Sequence, residues 1–150
     1  MTTPSVIWDA ATNTSTCILV DDKGRKFIGT AKCHPDDLDF SNELTGGVIA
    51  SQRAMLKYLQ SIKRDVLQPE LSALKQLYYS MNQSKKFNPN SYENIMLQRQ
   101  IRLKEEDLAT IEEELIRLKQ NLKLFIATKD ATYKKLRENR AKRDTRDENQ

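Results

Sequence analysis

The C-terminal half of the chain carries a repeating apolar pattern that predicts one long helix. From Asn90 to about Arg143 the sequence contains neither proline nor glycine. Apolar residues recur there every seven positions along two tracks offset by three, which is typical of the a and d positions of a coiled coil. The predicted seam consists of Leu97, Ile101, Leu108, Ile111, Leu115, Leu118, Leu122 and Phe125. A helix of this span is about 80 Å long at ~1.5 Å per residue, so its seam needs cover.

A shorter helix precedes the long one. Pro69 starts or kinks it, and apolar residues with a 4-3-4-3 spacing continue to about Asn82. A polar connector follows, and Asn90 with Glu93 forms a predicted capping box for the long helix. A helix of about 14 residues covers only the first ~20 Å of its neighbour. The middle of the seam, residues 108–125, is therefore expected to lack cover.

The N-terminal third has the alternation and turn residues of β-strands. The predicted strands are Ser5–Asp9, Thr14–Val20 and Arg25–Cys33, with a turn at residues 21–24. They form a three-stranded antiparallel meander. A helix capped by Ser41 or Asn42 should follow and end near Lys63. It would cover one sheet face, and the other face would meet the arm or a partner. Cys17 and Leu19 point to one of these faces, and Ile18 and Val20 point to the other.

These elements predict an α+β fold with two parts. A three-stranded antiparallel β-meander packed on a helix forms a head over residues 1–66. A long helical hairpin or coiled-coil arm with a basic C-terminal tail forms residues 67–150. We expect Gly46 and Gly47, inside the first predicted helix, to permit close packing of that helix on the sheet, the alternative being backbone exposed to a ligand.

The charges along the arm favour self-association. Acidic residues concentrate in 105–114 and basic residues dominate from 117 onward. Two arms in antiparallel orientation bring opposite charges together, whereas a parallel pair would place like charges side by side. We therefore expect an antiparallel homodimer through the seam. The alternative is an intramolecular bundle with residues 43–82.

The end of the arm is basic, within a chain whose formal net charge is only +4. The candidate contacts to a nucleic acid or another partner are Lys134, Lys135, Arg137, Arg140, Lys142 and Arg143, against Glu138 alone in that stretch. One reading is a solvated, frayed helix end. The other is an arm that contacts phosphates, with binding that weakens strongly as salt rises.

No residues form a recognisable catalytic or metal-binding pattern. Cys17, Cys33 and His34 are fewer than the four ligands of a closed zinc site, and we expect both cysteines to be reduced, half-buried strand residues. Cys33 and His34 are adjacent on an extended strand, so their side chains should diverge. We expect no enzymatic activity, no cofactor and no metal. The chain also lacks a membrane span and a signal sequence, so a soluble cytoplasmic protein is expected.

Two short motifs carry a resemblance to a known domain. The first contains Gly29, Ala31, Lys32, Pro35 and Asp37; the second contains Gly47, Ala50, Arg53 and Ala54. Together they resemble the small domain of unknown function called double-stranded-RNA-binding-like, which occurs in short phage and prophage proteins of Gram-positive bacteria. The resemblance covers about residues 14–60. It implies a β-meander packed on a helix and no established activity.

The resemblance and the uncovered seam together set the functional expectation. We expect a non-enzymatic, phage-type interaction protein that acts in the host cytoplasm. It would bind and inhibit a host protein, such as a nucleic-acid-processing defence nuclease, in the manner of an anti-CRISPR protein. The alternative is direct binding of duplex nucleic acid by the head and the basic C-terminal helix. A third reading is a structural component of a phage particle.

Overall fold

A computed structural model describes residues 3–34, 37, 43–84, 86 and 88–150 of the chain. Its strands are β1 (Ser5–Asp9), β2 (Thr14–Val20) and β3 (Lys26–Lys32), and its helices are α1 (Glu43–Ile62), α2 (Gln68–Asn82) and α3 (Tyr92–Glu148). A π-helical segment, Lys63–Leu67, joins α1 to α2. The predicted α+β class is confirmed by the three-stranded sheet and the long helix. The predicted caps at Ser41 and Asn42 lie outside the described residues.

The sheet is an antiparallel meander in the order β1-β2-β3. Its register places Ile7 beside Thr16 and Thr16 beside Thr30. Gly24 has a φ of 78° in the turn between β2 and β3, a backbone conformation that costs glycine little. The first two strands match the predicted bounds, and β3 is one residue shorter at each end than predicted.

The chain divides into two compact units, and α3 belongs to both. The first unit contains Met1–Tyr58 and Leu118–Gln150; the second contains Leu59–Arg117. The prediction placed the whole of α3 in a separate arm, with a boundary after residue 66. In the structure, the C-terminal part of α3 instead belongs to the unit that contains the sheet, because the core of that unit includes a residue of α3.

The core of the first unit lies on one face of the sheet. Its buried members are Cys17, Leu19, Ala31, Ile49, Ala50, Ala54 and Leu122. Partly buried hydrophobic side chains from β3, α1 and α3 pack around this cluster, and the rings of Phe27 and Tyr58 meet edge to face at 5.5 Å. The small residues of α1 let its backbone lie directly on the sheet: a Cβ atom on Gly29 would stand 2.0 Å from the Ala50 carbonyl oxygen.

Close packing also explains the glycine pair in α1. A Cβ atom on Gly46 would stand 2.4 Å from the Ser15 hydroxyl, whereas one on Gly47 would stand 3.3 Å from a methyl of Val6. The predicted close approach of helix and sheet is confirmed, and it is tighter at Gly46 than at Gly47.

In the second unit, α2 and the first part of α3 run in opposite directions. Ion pairs join Lys75 to Glu105 at 3.1 Å and Lys104 to Glu70. The Gln98 amide donates a hydrogen bond to the Tyr78 hydroxyl at 3.2 Å. The side chains of Leu71, Leu97 and Leu115 are buried in this unit.

The predicted break between the first two helices is a π-helical segment. Pro69 has no N–H, and its ring crowds the carbonyl four residues earlier, that of Asp65. The backbone widens there: the N–H of Gln68 donates to the carbonyl of Lys63, five residues back, and the chain keeps right-handed helical angles. The sequence located the disturbance correctly, but the helical path continues through it.

The long helix begins one residue later than the predicted cap. The Ser91 carbonyl accepts the first helical bond, from Ile95 at 3.0 Å, and the Ser91 hydroxyl accepts from the N–H of Asn94 at 3.4 Å. Asn90 lies in a turn instead, with its N–H bonded to the Asn88 side chain. Charged residues occur throughout α3, and no helix in the described part of the chain is both long and apolar enough to cross a membrane.

Candidate functional site

The sheet has a second face, which we call the outer face, that the core cluster does not use. Because side chains alternate along a strand, it carries every residue that points away from Cys17 and Leu19. In register, its members are Ser5, Ile7 and Asp9 of β1, Thr14, Thr16, Ile18 and Val20 of β2, and Lys26, Ile28, Thr30 and Lys32 of β3. This face is therefore a three-strand surface of isoleucine, valine and threonine with lysines at two ends of β3.

The apolar residues of the outer face are accessible to solvent. Ile7 and Ile28 are 58% and 42% exposed, and Ile18 and Val20 of the central strand are half-buried. Ile18 lies directly beside Ile28 in the ladder and diagonally to Ile7, whose direct partner is Thr16, so the three isoleucines form one patch. Scattered apolar residues are common on protein surfaces, but contiguous ones mark contact sites. The outer face is the strongest candidate site for a partner.

The two edges of the sheet differ. At the β3 edge, Arg53 donates a hydrogen bond to the Thr30 carbonyl at 2.7 Å, and Lys57 donates to the Ile28 carbonyl at 2.6 Å. Both cations come from successive turns of α1 and occupy acceptors that another strand would need. At the other edge, all five residues of β1 are exposed. The fold thus blocks one edge and leaves the other open.

A polar cluster lies at one end of the inner face of the sheet. Tyr133 of α3 is buried there, and this burial raises the pKa of its phenol above its ordinary value of 10.0. The Lys129 ammonium lies 5.5 Å from the centre of the Tyr133 ring. These two side chains line a cavity of about 30 Å³ together with Trp8, Cys33 and Thr45. That volume suits one water molecule, not a substrate.

The cysteine and histidine near this cluster do not pair as a nucleophile and a base. Cys33 donates through its thiol to the His34 backbone carbonyl at 3.4 Å. Both cysteines are free; Cys17 is fully buried and Cys33 half-buried. Among the described residues, no three His, Cys, Asp or Glu side chains are grouped to hold a metal ion.

The basic tail residues fall into two groups. Lys134, Lys135, Lys142 and Arg143 are exposed on α3. Arg137 forms an ion pair with Asp37, whose side chain is almost buried, and Arg140 is half-buried. The sequence treated all six as equivalent contacts, but Arg137 also ties α3 to the segment that precedes α1.

The predicted seam is covered within a single chain. In the first unit, Leu122 belongs to the core cluster and Phe125 packs against it. In the second unit, Leu97 and Leu115 are buried, while Ile101, Leu108 and Ile111 are half-buried. Leu118 is half-buried in the first unit. The expectation that residues 108–125 lack cover is corrected: α1 and the sheet contribute to the same core as Leu122. The homodimer stays a prediction, but an uncovered seam over residues 108–125 no longer supports it.

Sequence reasoning named only part of the outer face. It separated Ile18 and Val20 from Cys17 and Leu19 without assigning either pair to the core, and it did not include Ile7 and Ile28 in a site. The register places the side chains of both residues on the same face of the sheet as Ile18. Without the register, neither strand could be aligned with β2.

The resemblance to the double-stranded-RNA-binding-like domain stays a prediction. Protein-family models, curated proteins and solved structures were all compared with the chain, and none matches it.

Proposed function

We propose that this protein is a non-enzymatic interaction protein that binds another protein through the outer face of its sheet. The observation that carries the proposal is the solvent-accessible row that runs diagonally from Ile7 to Ile18 and then to its direct neighbour Ile28. Covering such a row releases water from apolar surface, which contributes about 25 cal/mol per Å². Lys26 and Lys32, exposed on the same face, favour a partner that surrounds an apolar patch with carboxylates.

The resemblance adds a class of partner to this proposal. The phage and prophage context of that domain points to a host protein, and a nucleic-acid-processing defence nuclease inhibited in the manner of an anti-CRISPR protein fits that context. This part of the proposal rests on the two motifs and not on the outer face. A different protein partner would leave the proposed binding surface unchanged.

A coiled-coil hairpin is a further part of the proposal. The opposite directions of α2 and α3 and the ion pair between Lys75 and Glu105 support it. The buried side chains of Leu71 and Leu97 supply the apolar contact that two such helices require. In this arrangement the hairpin stiffens the second unit, and the outer face remains the surface that binds.

Ile28→Glu tests the outer face. It places a charge at the β3 end of the apolar row, directly beside Ile18, and we expect at least a tenfold loss of partner binding with little change in stability, because Ile28 is already partly exposed. The measurement is affinity capture from a Gram-positive bacterial lysate treated with nuclease, followed by titration of the recovered protein. Leu124→Glu is the matched control: Leu124 is 68% exposed, on α3. Equal binding by both variants would contradict the proposal.

Direct binding of duplex nucleic acid is the second candidate function. It is favoured by the exposed side chains of Lys134, Lys135, Lys142 and Arg143 on one helix. Phosphate contacts release counterions, so binding of this kind falls steeply with salt. Against it, Glu138, Asp144, Asp147 and Glu148 dilute the positive charge of the same segment.

The double variant Lys135→Glu/Lys142→Glu tests this second function. If the helix contacts phosphates, we expect a gel shift of duplex DNA or RNA at low salt that the variant reduces more than tenfold, with a shallower salt dependence. The control is Ile28→Glu, which should shift the duplex like the unmodified protein. No shift by the unmodified protein at low salt would rule the second function out.

A further inference from the structure

The exposed edge of β1 is a second interaction surface, distinct in its chemistry from the outer face. Val6, Ile7 and Trp8 are 46%, 58% and 41% exposed at this edge. At the opposite edge, Arg53 and Lys57 occupy the carbonyls of Thr30 and Ile28. An open edge with apolar side chains is a template for another strand unless charge, proline or a bulge protects it. Within Ser5–Asp9 the only charge is Asp9, at the end of the strand.

The ladder shows which backbone groups β1 presents. On the β2–β3 side, the N–H of Cys33 donates to the Asn13 carbonyl and the N–H of Asp21 donates to the Arg25 carbonyl. Odd-numbered residues of β2 therefore bond to β3, and even-numbered ones bond to β1, since the direction alternates in an antiparallel sheet. Residues 5, 7 and 9 of β1 face those even-numbered partners. The backbone N–H and C=O groups of Val6 and Trp8 consequently point out of the sheet.

The outward backbone groups of one β1 strand are complementary to those of a second, antiparallel copy of β1. In an antiparallel pair of β1 strands centred on Ile7, Val6 of each copy faces Trp8 of the other. Each such pair exchanges two hydrogen bonds, because both residues present their backbone groups to the shared edge. Ile7 then faces Ile7 across the two-fold axis, at a position where side chains come closest. We propose that β1 pairs with β1 of a second copy in this register, joining two sheets into one of six strands.

The charges favour a second copy as the occupant. In this register Asp9 lies opposite Ser5 at each end, so a hydroxyl can donate to the carboxylate and no like charges oppose one another. Every position of the strand thus finds a compatible residue in its own sequence. A closed two-fold contact of this kind also leaves no β1 edge open for further addition.

The inner side of the edge has room for the partner's side chain. An open groove of about 390 Å³ lies beside Val6 and is lined by Leu44, Gly47 and Val48 of α1. Trp8 has the same strand parity as Val6, so the indole of the second copy would lie next to Val6 along this groove. Leu44, 78% exposed in one chain, would gain an apolar neighbour.

The apolar area buried between two β1 edges sets the expected affinity of the dimer. Val6, Ile7, Trp8 and Leu44 together present on the order of 400 Å² of apolar surface per copy, from side chains of roughly 150–250 Å² for the largest. Stable dimers bury about 800 Å² per partner. The β1 dimer should therefore be weak, with a Kd on the order of micromolar.

Cross-linking tests the register. In a Cys33→Ser background, Ile7→Cys places one thiol from each copy directly opposite the other across the two-fold axis. The Cα atoms of such a pair are close enough for a disulfide. We expect a covalent dimer under mild oxidation that forms at least tenfold faster than with Ile28→Cys, an exposed residue of the same face on the other edge. Equal rates for the two variants would overturn the register.

Val6→Pro tests the pairing itself. It removes an outward N–H while leaving the bonds between β1 and β2 intact, and proline is tolerated at such edge positions. Sedimentation over a range of concentrations into the hundreds of micromolar should show a dimer for the unmodified chain and at least a tenfold weaker one for the variant, with unchanged circular dichroism. A monomer at every concentration, or a dimer that Val6→Pro does not weaken, would refute the proposal.

Discussion

Gly29→Ala should unfold the unit that contains the sheet. A Cβ atom there would stand 2.0 Å from the Ala50 carbonyl oxygen and 2.5 Å from the Ala54 amide nitrogen. Both are backbone atoms of α1, so the helix itself would have to move off the sheet. Overpacking a core usually costs about 1–3 kcal/mol, because the crowded neighbours are side chains that can rotate away. The backbone atoms next to Gly29 cannot rotate away. We expect a larger loss, comparable to the whole stability of ~5–15 kcal/mol.

Urea unfolding followed by far-ultraviolet circular dichroism measures this effect. Gly47→Ala is the matched control, because its Cβ would meet only a Val6 methyl at 3.3 Å. Alanine is favoured over glycine within a helix by about 1 kcal/mol, so this variant should be neutral or more stable. Strand propensity alone would make Gly29→Ala stabilising as well. A Gly29→Ala protein with an unchanged unfolding midpoint would mean that α1 does not lie on β3 as described.

Leu122→Ala should destabilise a single chain by about 2–5 kcal/mol. Leu122 is only 9% exposed and belongs to the cluster formed by β2, β3 and α1. Its removal leaves a cavity among small, tightly packed residues that cannot collapse into it. Because the contacts are within one chain, the shift of the urea midpoint should not depend on protein concentration. This independence is the feature that separates a core residue from a dimer seam.

The control for this variant lies two residues further along the same helix. Leu124→Ala removes the same atoms from a side chain that is 68% exposed, so stability should change by less than about 0.5 kcal/mol. Midpoints measured at concentrations differing a hundredfold provide the test. A Leu122→Ala effect that disappears at high concentration would show that the seam joins two chains.

The candidate site was only partly accessible to sequence reasoning. The alternation in β2 separates Cys17 and Leu19 from Ile18 and Val20, so Ile18 and Val20 could be placed on a common face in advance, although not on the outer one. Ile7 and Ile28 could not, because a strand's partner and register depend on contacts between distant residues. The basic tail was found from composition, but the pairing of Arg137 with Asp37 joins residues a hundred positions apart.

Short-range features follow from the sequence alone. The bounds of β1 and β2, the turn at Gly24, the disturbance at Pro69 and the helical character of residues 92–143 were all evident, because each depends on local propensity and periodicity. The heptad pattern also correctly marked the apolar side of α3.

What covers that apolar side is decided by tertiary structure. A heptad pattern specifies that a side of the helix must be buried, but an apolar partner in the same chain and one in a second chain satisfy it equally. The fold chooses the first: Leu122 of α3 enters the same core as Ala50 and Ala54 of α1. With Leu122 in that core, the outer face and the β1 edge are apolar surfaces still open to partners, and both exist only once the strands have paired.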